Sequence, residues 1–554
     1  SLILAALADA ALGLYLMRYV SPGVRTLGYA LAGLATLAFT AFATIWGKHD
    51  PRVLAAGVFR TARAVVADGV QVPYLRDGKT ATITASVGGD GTINISTNGK
   101  PDASLAPTLK QKPTGDEITM IMAGALPLVM HPDPKEVAVI GWGSGLTTHT
   151  LLGSPLPERV DTIEIEKGMY DGARVFGDRV KRAYEDPRSK LHVDDARTYF
   201  SMGNRKFDVI VSEPSNPWVS GVASLFTEEF YSFMRGHLKP GGMVVQWVQA
   251  YELNDELLAT MVAALLEVFP DSELYVTNGG DLLILARTAE AVAPNWAALT
   301  VPDLSQELPR VGLGSPEQFA LRRVGGPALL RNFVRTARAQ PHSDFYPVVS
   351  LNAPRSRFKG ETATSLLSII DNGVPISEML EKRVEVPAQL SQYDVHSRFA
   401  QSKRTALAIR ESLLNGGANV EEYGDDPSLL PQTMSLLRQS ESRVKDSEVL
   451  LWTRLVASVS QGSLSQLVSS EQQGVWSDPA WISRDEQPQA VLDVLDALDA
   501  TADRDAGRMY ASAMKVLDYP DEVVSVFLKE QMFIQAMVGA LASGHPDRAL
   551  ALDK

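Results

Sequence analysis

Three kinds of apolar pattern follow one another along the chain. The first is unbroken apolarity. Leu2 to Met17 carries no charge except Asp9, and Thr26 to Trp46 runs 21 residues without one. At 1.5 Å per residue the second stretch would measure about 31 Å, the depth of a bilayer core. Its glycines and alanines suit close packing between membrane helices. We therefore expect transmembrane helices, against the alternative of a helix buried in a soluble domain. A cleaved signal peptide fits worse, because the stretch is long and double. Asp9 would then face a helix partner or water. Arg18 and Arg25 lie between the segments, and Lys48, Arg52, Arg60 and Arg63 follow the second. That bias places the large C-terminal part in the cytoplasm. The sequence opens at Ser1 inside an apolar run, which leads us to expect more chain before it.

The second pattern is strict alternation. Thr80–Val87 and Thr92–Thr97 alternate with period two around the turn Gly88-Gly-Asp-Gly91, and Asn98-Gly99 closes the second run. This predicts a small antiparallel sheet. An apolar helix is expected over 116–130.

The third pattern is short, continuous apolar runs separated by helical stretches. Glu136–Ile140, Val160–Ile165, Lys190–Val193, Phe207–Val211 and Gly242–Trp247 read as strands buried on both faces. Strands alternating with helices predict a doubly wound, Rossmann-like α/β sheet, which we take to be the seven-stranded, nucleoside-binding kind. The strand signal stops near residue 300. Residues 366–554 read as helices with polar joints, including Pro488–Leu498 and Val523–Ala542. The stretch Phe533–Leu550 has the small-residue spacing of a helical repeat, and a plain bundle fits equally well. The expected divisions are 1–47 (membrane helices), 48–115 (linker and small β-domain), 116–290 (Rossmann-like domain), 291–365 (its extension) and 366–554 (helical).

Composition narrows the choice of partner. The chain has 554 residues, 45% hydrophobic and 21% charged, so two to four folded domains are expected rather than disorder. A net charge of -13 argues against nucleic acid and is compatible with cationic substrates such as amines. With no cysteine there is no disulfide, thiolate metal site or Cys nucleophile. The eight histidines show no ligand spacing, so no metal is expected.

The candidate chemistry lies where the apolar strands end. Gly141-Trp-Gly-Ser-Gly145 follows the first strand directly. Its glycines let backbone approach a ligand, and the helix it opens offers free N–H groups. Glu164 ends the second strand about 20 residues later, where a carboxylate binds ribose hydroxyls in this architecture. Asp194 and Asp195 follow the third strand, where a carboxylate can accept from an adenine amine. Each could singly be an ordinary turn or a solvated charge, but their order at successive strand ends points to a nucleoside. The fourth strand runs into Ser212-Glu-Pro-Ser-Asn-Pro-Trp218, made rigid by two prolines. Glu213 there is placed to take a proton from a nucleophile, with a cap or ion-pair role as the alternative. Tyr251 either lines an acceptor pocket or packs in the core. His342 and Asp344 read as structural.

Together Gly141-Trp-Gly-Ser-Gly145, Ile163-Glu-Ile-Glu166, Val193-Asp-Asp-Ala196, Phe207–Pro217 and Ser224-Leu-Phe226 resemble the spermidine synthase (polyamine aminopropyltransferase) family. Asp50-Pro-Arg-Val-Leu, Asn98-Gly-Lys-Pro-Asp-Ala-Ser104, Leu126-Pro-Leu-Val-Met-His-Pro132, Glu213–Trp218 and Asp344-Phe-Tyr-Pro347 resemble a bacterial subgroup, in which a transporter-like membrane domain is fused to a spermidine-synthase-like one. The resemblance covers about 50–355. It implies a bacterial inner-membrane, multi-pass protein that uses decarboxylated S-adenosylmethionine, or S-adenosylmethionine itself, as co-substrate with a small amine. It also implies a homodimer or a subunit of a membrane complex.

By the same resemblance, Gly141, Gly143, Ser144, Gly145, Glu164, Asp194 and Asp195 bind the donor, and Asp102 stands near a donor-contacting glutamine of the family. Glu213 and Asn216 occupy the catalytic loop. The departures concern the acceptor. Ser144 replaces an Asp, Glu213 and Asn216 replace two Asp residues, and Thr119 and Ile121 stand where the family has a Tyr and an acid for the diamine. The donor half of the site is kept and the diamine half eroded. Fewer carboxylates repel the donor's own carboxylate less, so relaxed donor choice or methyl transfer is one alternative reading. A non-catalytic scaffold of a membrane complex is the other.

Overall fold

Two compact units, 1–102 and 103–554, make up the computed structural model. It describes every residue except 1, 20–21, 47–49, 59–61, 291–292, 321, 368–373, 382–411, 415–442, 464–473, 480 and 553–554. Lys48 and Arg60, and 382–411 and 415–442 of the expected helical region, thus lie outside the described residues.

In the first unit the two apolar stretches form helices α1 (Leu2–Leu16) and α2 (Pro22–Trp46). The expectation that they span a bilayer is not met: among the described residues no helix is long and apolar enough to cross a membrane. The 15 residues of α1 cover about 22 Å. That falls short of the roughly 30 Å hydrocarbon core. The 25 residues of α2 cover about 37 Å, and its side chains are described over 27–42. Large apolar side chains on α2 nevertheless face outward, with Leu34 and Leu37 69% and 72% exposed.

A meander of four strands follows, β1 (Gln71–Asp77), β2 (Thr82–Val87), β3 (Ile93–Thr97) and β4 (Lys100–Leu105), in the order β1-β2-β3-β4, with the unit boundary falling inside β4. Strand β2 starts two residues later than the alternation suggested, because the Gly78 N–H is bonded to the Ala81 carbonyl and closes the turn first. Asn98 and Gly99 sit at φ 50° and 77°. That is the left-handed pair a two-residue hairpin needs, and it turns the chain into β4. Ile83, Ala85 and Ile95 are fully buried, the inward set of the alternation.

The second unit is built on eight strands. The apolar runs form β5 (Glu136–Ile140), β6 (Arg159–Glu164), β7 (Ser189–Val193), β8 (Phe207–Ser212) and β9 (Leu238–Gln249), which pair parallel with one another. To these the structure adds β10 (Asp271–Val276), β11 (Asp281–Arg287) and the short edge strand β12 (Arg323–Gly325). The order is β12-β10-β11-β9-β8-β5-β6-β7, with β11 antiparallel to both β9 and β10. The seven-stranded Rossmann-like expectation holds, with one further strand from the region where the sheet signal had stopped. The chain leaves β5 towards β6 and β7, then returns to β8 and β9 on the other side. The gap between the carboxyl ends of β5 and β8 is therefore a topological switch point.

Helix α3 (Gly115–Met130) covers one face of this sheet, buried over nearly all its length. Its first turn is fixed by Glu117, which is fully buried and paired with Arg179 at 3.1 Å and with Arg310. Beyond residue 445 the described helices include Gln489–Ala502, Ala506–Leu517 and Val526–Ala542, near the predicted positions.

Candidate active site

Two loops meet at the switch point, and the sequence allows this at one residue. Gly141 has φ +97°, and a Cβ there would lie 2.5 Å from the Glu213 carbonyl oxygen. Only glycine lets the loop after β5 touch the loop after β8. Backbone bonds join both loops to the sheet: Gly141 N–H to the Ile163 carbonyl at 2.9 Å, and Glu213 N–H to that of Ile140 at 3.0 Å. Gly143 follows at φ +52° with open space beside it, and Gly145 caps the short helix α4 (Leu146–Leu151).

The acidic residues at the neighbouring strand ends form a chain with this loop. Buried Glu164 accepts from the N–H of Trp142 at 2.9 Å and from that of Glu166 at 2.8 Å, which holds the glycine loop against β6. Asp194 donates its N–H to the Glu164 carbonyl at 3.1 Å, and its carboxylate accepts from the N–H of Asp195. Asp195 caps helix Ala196–Met202, accepting from Thr198 N–H at 2.9 Å. The structure thus brings Gly141, Gly143, Gly145, Glu164, Asp194 and Asp195 together with Glu213. Ser144 turns away. Fully buried, its hydroxyl points at the Met120 sulfur at 3.1 Å and accepts from Leu146 N–H, so it offers the loop's exterior no polar group. Asp102 belongs to the first unit, where it is ion-paired with Lys100 at 2.7 Å.

Glu213 is part-exposed at the start of its loop. Burial nonetheless pushes its carboxyl up to about 8, helped by the charge of Asp281 and opposed by the neighbouring Thr147 hydroxyl. A carboxylate costly to ionise and poised near neutral pH has the property a general base needs.

Sequence reasoning missed Asp281, which opens β11 and is 6% exposed. Its carboxylate receives the Asn278 amide at 2.7 Å and the Trp247 indole N–H at 3.2 Å. The Thr119 hydroxyl lies 3.1 Å away and also 2.7 Å from that of Thr277. So the position at which the diamine-binding Tyr was judged lost carries a hydroxyl that contacts another carboxylate. Thr119 alone held the only signal, a polar residue on the apolar helix α3. Tyr251 packs its ring against Gly280, next to Asp281. Asn216 and Gln249 are fully buried, and both polar ends of each side chain have no hydrogen-bond partner. His342 is buried against the Ala223 carbonyl, and Asp344 pairs with Arg197 at 2.8 Å, both structural roles.

Residues 118–279 match the family described as "Spermine/spermidine synthase domain". The chain is 31% identical over 228 residues to a polyamine aminopropyltransferase of Nitrosomonas europaea, covering 40% of this chain and 68% of that protein. It is 28% identical to a spermidine synthase of Dictyostelium discoideum, over 28% of this chain and 54% of that one. A Bacillus subtilis polyamine aminopropyltransferase is 27% identical over 28% of this chain and 56% of its own. The chain thus spans about half the length of the latter two. The solved spermidine synthase of Thermotoga maritima aligns at 19% identity and TM-score 0.35, covering 50% of this chain and 87% of that one.

Proposed function

The chain belongs to the spermine/spermidine synthase family, and on that premise we propose that it transfers an aminopropyl group from decarboxylated S-adenosylmethionine to an amine, with Glu213 as the base. The supporting observation is the raised carboxyl of Glu213 at the switch point, beside the glycine loop. The acceptor arrives as an ammonium. Glu213 takes its proton, and the nitrogen lone pair attacks the methylene carbon bonded to the donor's sulfonium. The C–N bond forms as the C–S bond breaks, its electron pair returning to sulfur, and methylthioadenosine leaves. The proton on Glu213 then passes to solvent. The loops supply proximity, and the base keeps the nucleophile unprotonated. Glu164 and Asp194 would hold the nucleoside, and Asn216 would close the loop over the reacting groups.

Calorimetric titration of the full chain with decarboxylated S-adenosylmethionine, S-adenosylmethionine and methylthioadenosine tests this. Preference for the decarboxylated donor supports aminopropyl transfer. Preference for the ordinary donor moves the reading to methyl transfer, and binding of none leaves the scaffold. Glu213→Gln should cut turnover by about 10²–10⁴-fold and leave nucleoside affinity within about twofold.

We retain association with a bacterial cell membrane as a proposal. Its support is the outward apolar face of α2, where Leu27, Leu31, Leu34 and Leu37 are all more than half exposed. Fractionation of cells expressing the full chain should find it with membranes, and recovery in the high-speed supernatant would reject the idea.

A further inference from the structure

Helix α5 (Val348–Lys359) lies outside the sheet, yet one of its side chains reaches the loop that carries Glu213. Val349, Ala353 and Ser356 are its buried face, spaced four and three residues apart as a helix requires. Arg357 follows Ala353 by one turn and so points the same way, whereas Arg355 and Lys359 are exposed. A charge on an inward face needs polar or aromatic company. The guanidinium of Arg357 lies over the indole of Trp218, 4.1 Å from the ring centroid. Its Nε faces the Glu252 carboxylate at 3.7 Å.

These contacts join two loops of the site. Trp218 ends the loop that begins at Glu213 and holds the buried Asn216. The loop's start is tied to β5 by the Glu213 N–H, and its end packs against the sheet core under Arg357. Glu252 lies just past β9 at φ 57°, a left-handed conformation uncommon for a residue with a Cβ. Such a conformation persists where the surroundings impose it. Here the chain after α5 does so. Thr362 pairs with Tyr251 as an antiparallel bridge, and the Ala363 N–H donates to the Ala250 carbonyl at 2.8 Å. The Glu361 carboxylate receives the Asn254 amide at 3.1 Å and the Ser356 hydroxyl at 2.7 Å. Residues 356–363 thus grip the end of β9, and Arg357 extends that grip to the loop after β8.

Resting on the aminopropyl-transfer reading, we propose that Arg357 is a positioning residue: acting through Trp218, it fixes the loop so that the Glu213 carboxylate faces the acceptor nitrogen. A base about 1 Å out of place can lose about 10²-fold in rate. The nucleoside side of the site does not depend on this contact, because Glu164 holds the glycine loop through the N–H groups of Trp142 and Glu166. Arg357 therefore governs the chemical step and leaves nucleoside binding alone. A flat guanidinium suits the indole face, and a lysine ammonium would keep the charge without the stacking.

The test is methylthioadenosine release by the full chain from decarboxylated S-adenosylmethionine and butane-1,4-diamine, for Arg357→Ala, Arg357→Lys, Trp218→Leu and the double variant of Arg357→Ala with Trp218→Leu. Arg357→Ala should lower kcat about 10–100-fold. Its KM for the donor and its calorimetric affinity for methylthioadenosine should stay within about twofold of the parent. Arg357→Lys, which keeps a cation over the ring, should recover most of the lost turnover. The double variant should fall no further than the slower single one, because both changes remove the same contact. An undiminished kcat in Arg357→Ala would overturn the proposal, as would losses in the single variants that multiply in the double. A variant that loses nucleoside affinity along with turnover would assign Arg357 to stability and overturn it too. An unaltered protein that binds methylthioadenosine but releases none from the two substrates would overturn the aminopropyl-transfer reading itself, and this proposal with it.

Discussion

At the scale of single residues, Glu213 sets the pH behaviour. A base works deprotonated, and this one sits at about 8. The kcat/KM for the amine should rise about tenfold per pH unit below that value and level off above it. A profile already flat from pH 6 would remove Glu213 from the role. Stability runs the other way. The folded-state pKa lies above the ordinary 4.5 of the unfolded chain, so the folded state holds this proton more tightly. Its contribution is present below 4.5 and is lost as pH rises to about 8. Glu213→Gln should therefore melt higher than the parent in thermal scans above that pH. Glu213 was legible in the sequence because two prolines and a strand end frame it. Asp281 was not. It reaches the site through the antiparallel insertion of β11 beside β9, a pairing that no local pattern announces.

At the scale of elements, legibility followed burial. Strand β5 is Glu-Val-Ala-Val-Ile, apolar because both faces are covered, and its predicted and observed ends agree. Strand β10 is Asp-Ser-Glu-Leu-Tyr-Val, polar over its first three residues, and it is not among the apolar runs that read as strands. Its Glu273 is nonetheless 5% exposed. Burial pushes that carboxyl up, but Arg287 and Arg323, from β11 and β12, outweigh it and hold it at about 2. The ion pairs that make β10 a strand exist only once its neighbours are in place. Helix α3 depends on a comparable arrangement around Glu117. Replacing Glu117 by Gln leaves Arg179 and Arg310, both under a tenth exposed, without a counter-charge. That should cost about 3–5 kcal/mol in denaturant unfolding. A loss below about 1 kcal/mol would mean that the arginines find water instead.

At the scale of the second unit, the C-terminal helices have two apolar faces. One builds a core of their own around Trp452, Trp476, Val494 and Leu528. The other sends Ala500, Met509 and Val538 into the cluster that contains the sheet residues Ile140, Ile210 and Val244. Arg504, just after Gln489–Ala502, is bonded to Glu378 at 2.9 Å, and Glu381 in turn pairs with Arg323 of β12 at 2.8 Å. Contacts of this kind run from the helices through the sheet edge to β10 and β11, and β11 begins with Asp281. A ligand at the switch point should therefore stabilise the helices as well as the sheet. At about a hundred times its dissociation constant, methylthioadenosine would add about 2.7 kcal/mol to whatever unfolds with the site. Tryptophan fluorescence from the helical core and calorimetry of the whole chain should then show the nucleoside raising both transitions together. If the tryptophan signal of the helical core melts at an unchanged temperature while the sheet transition moves up, the helices are an independent domain, and the shared apolar cluster does not couple them to the site.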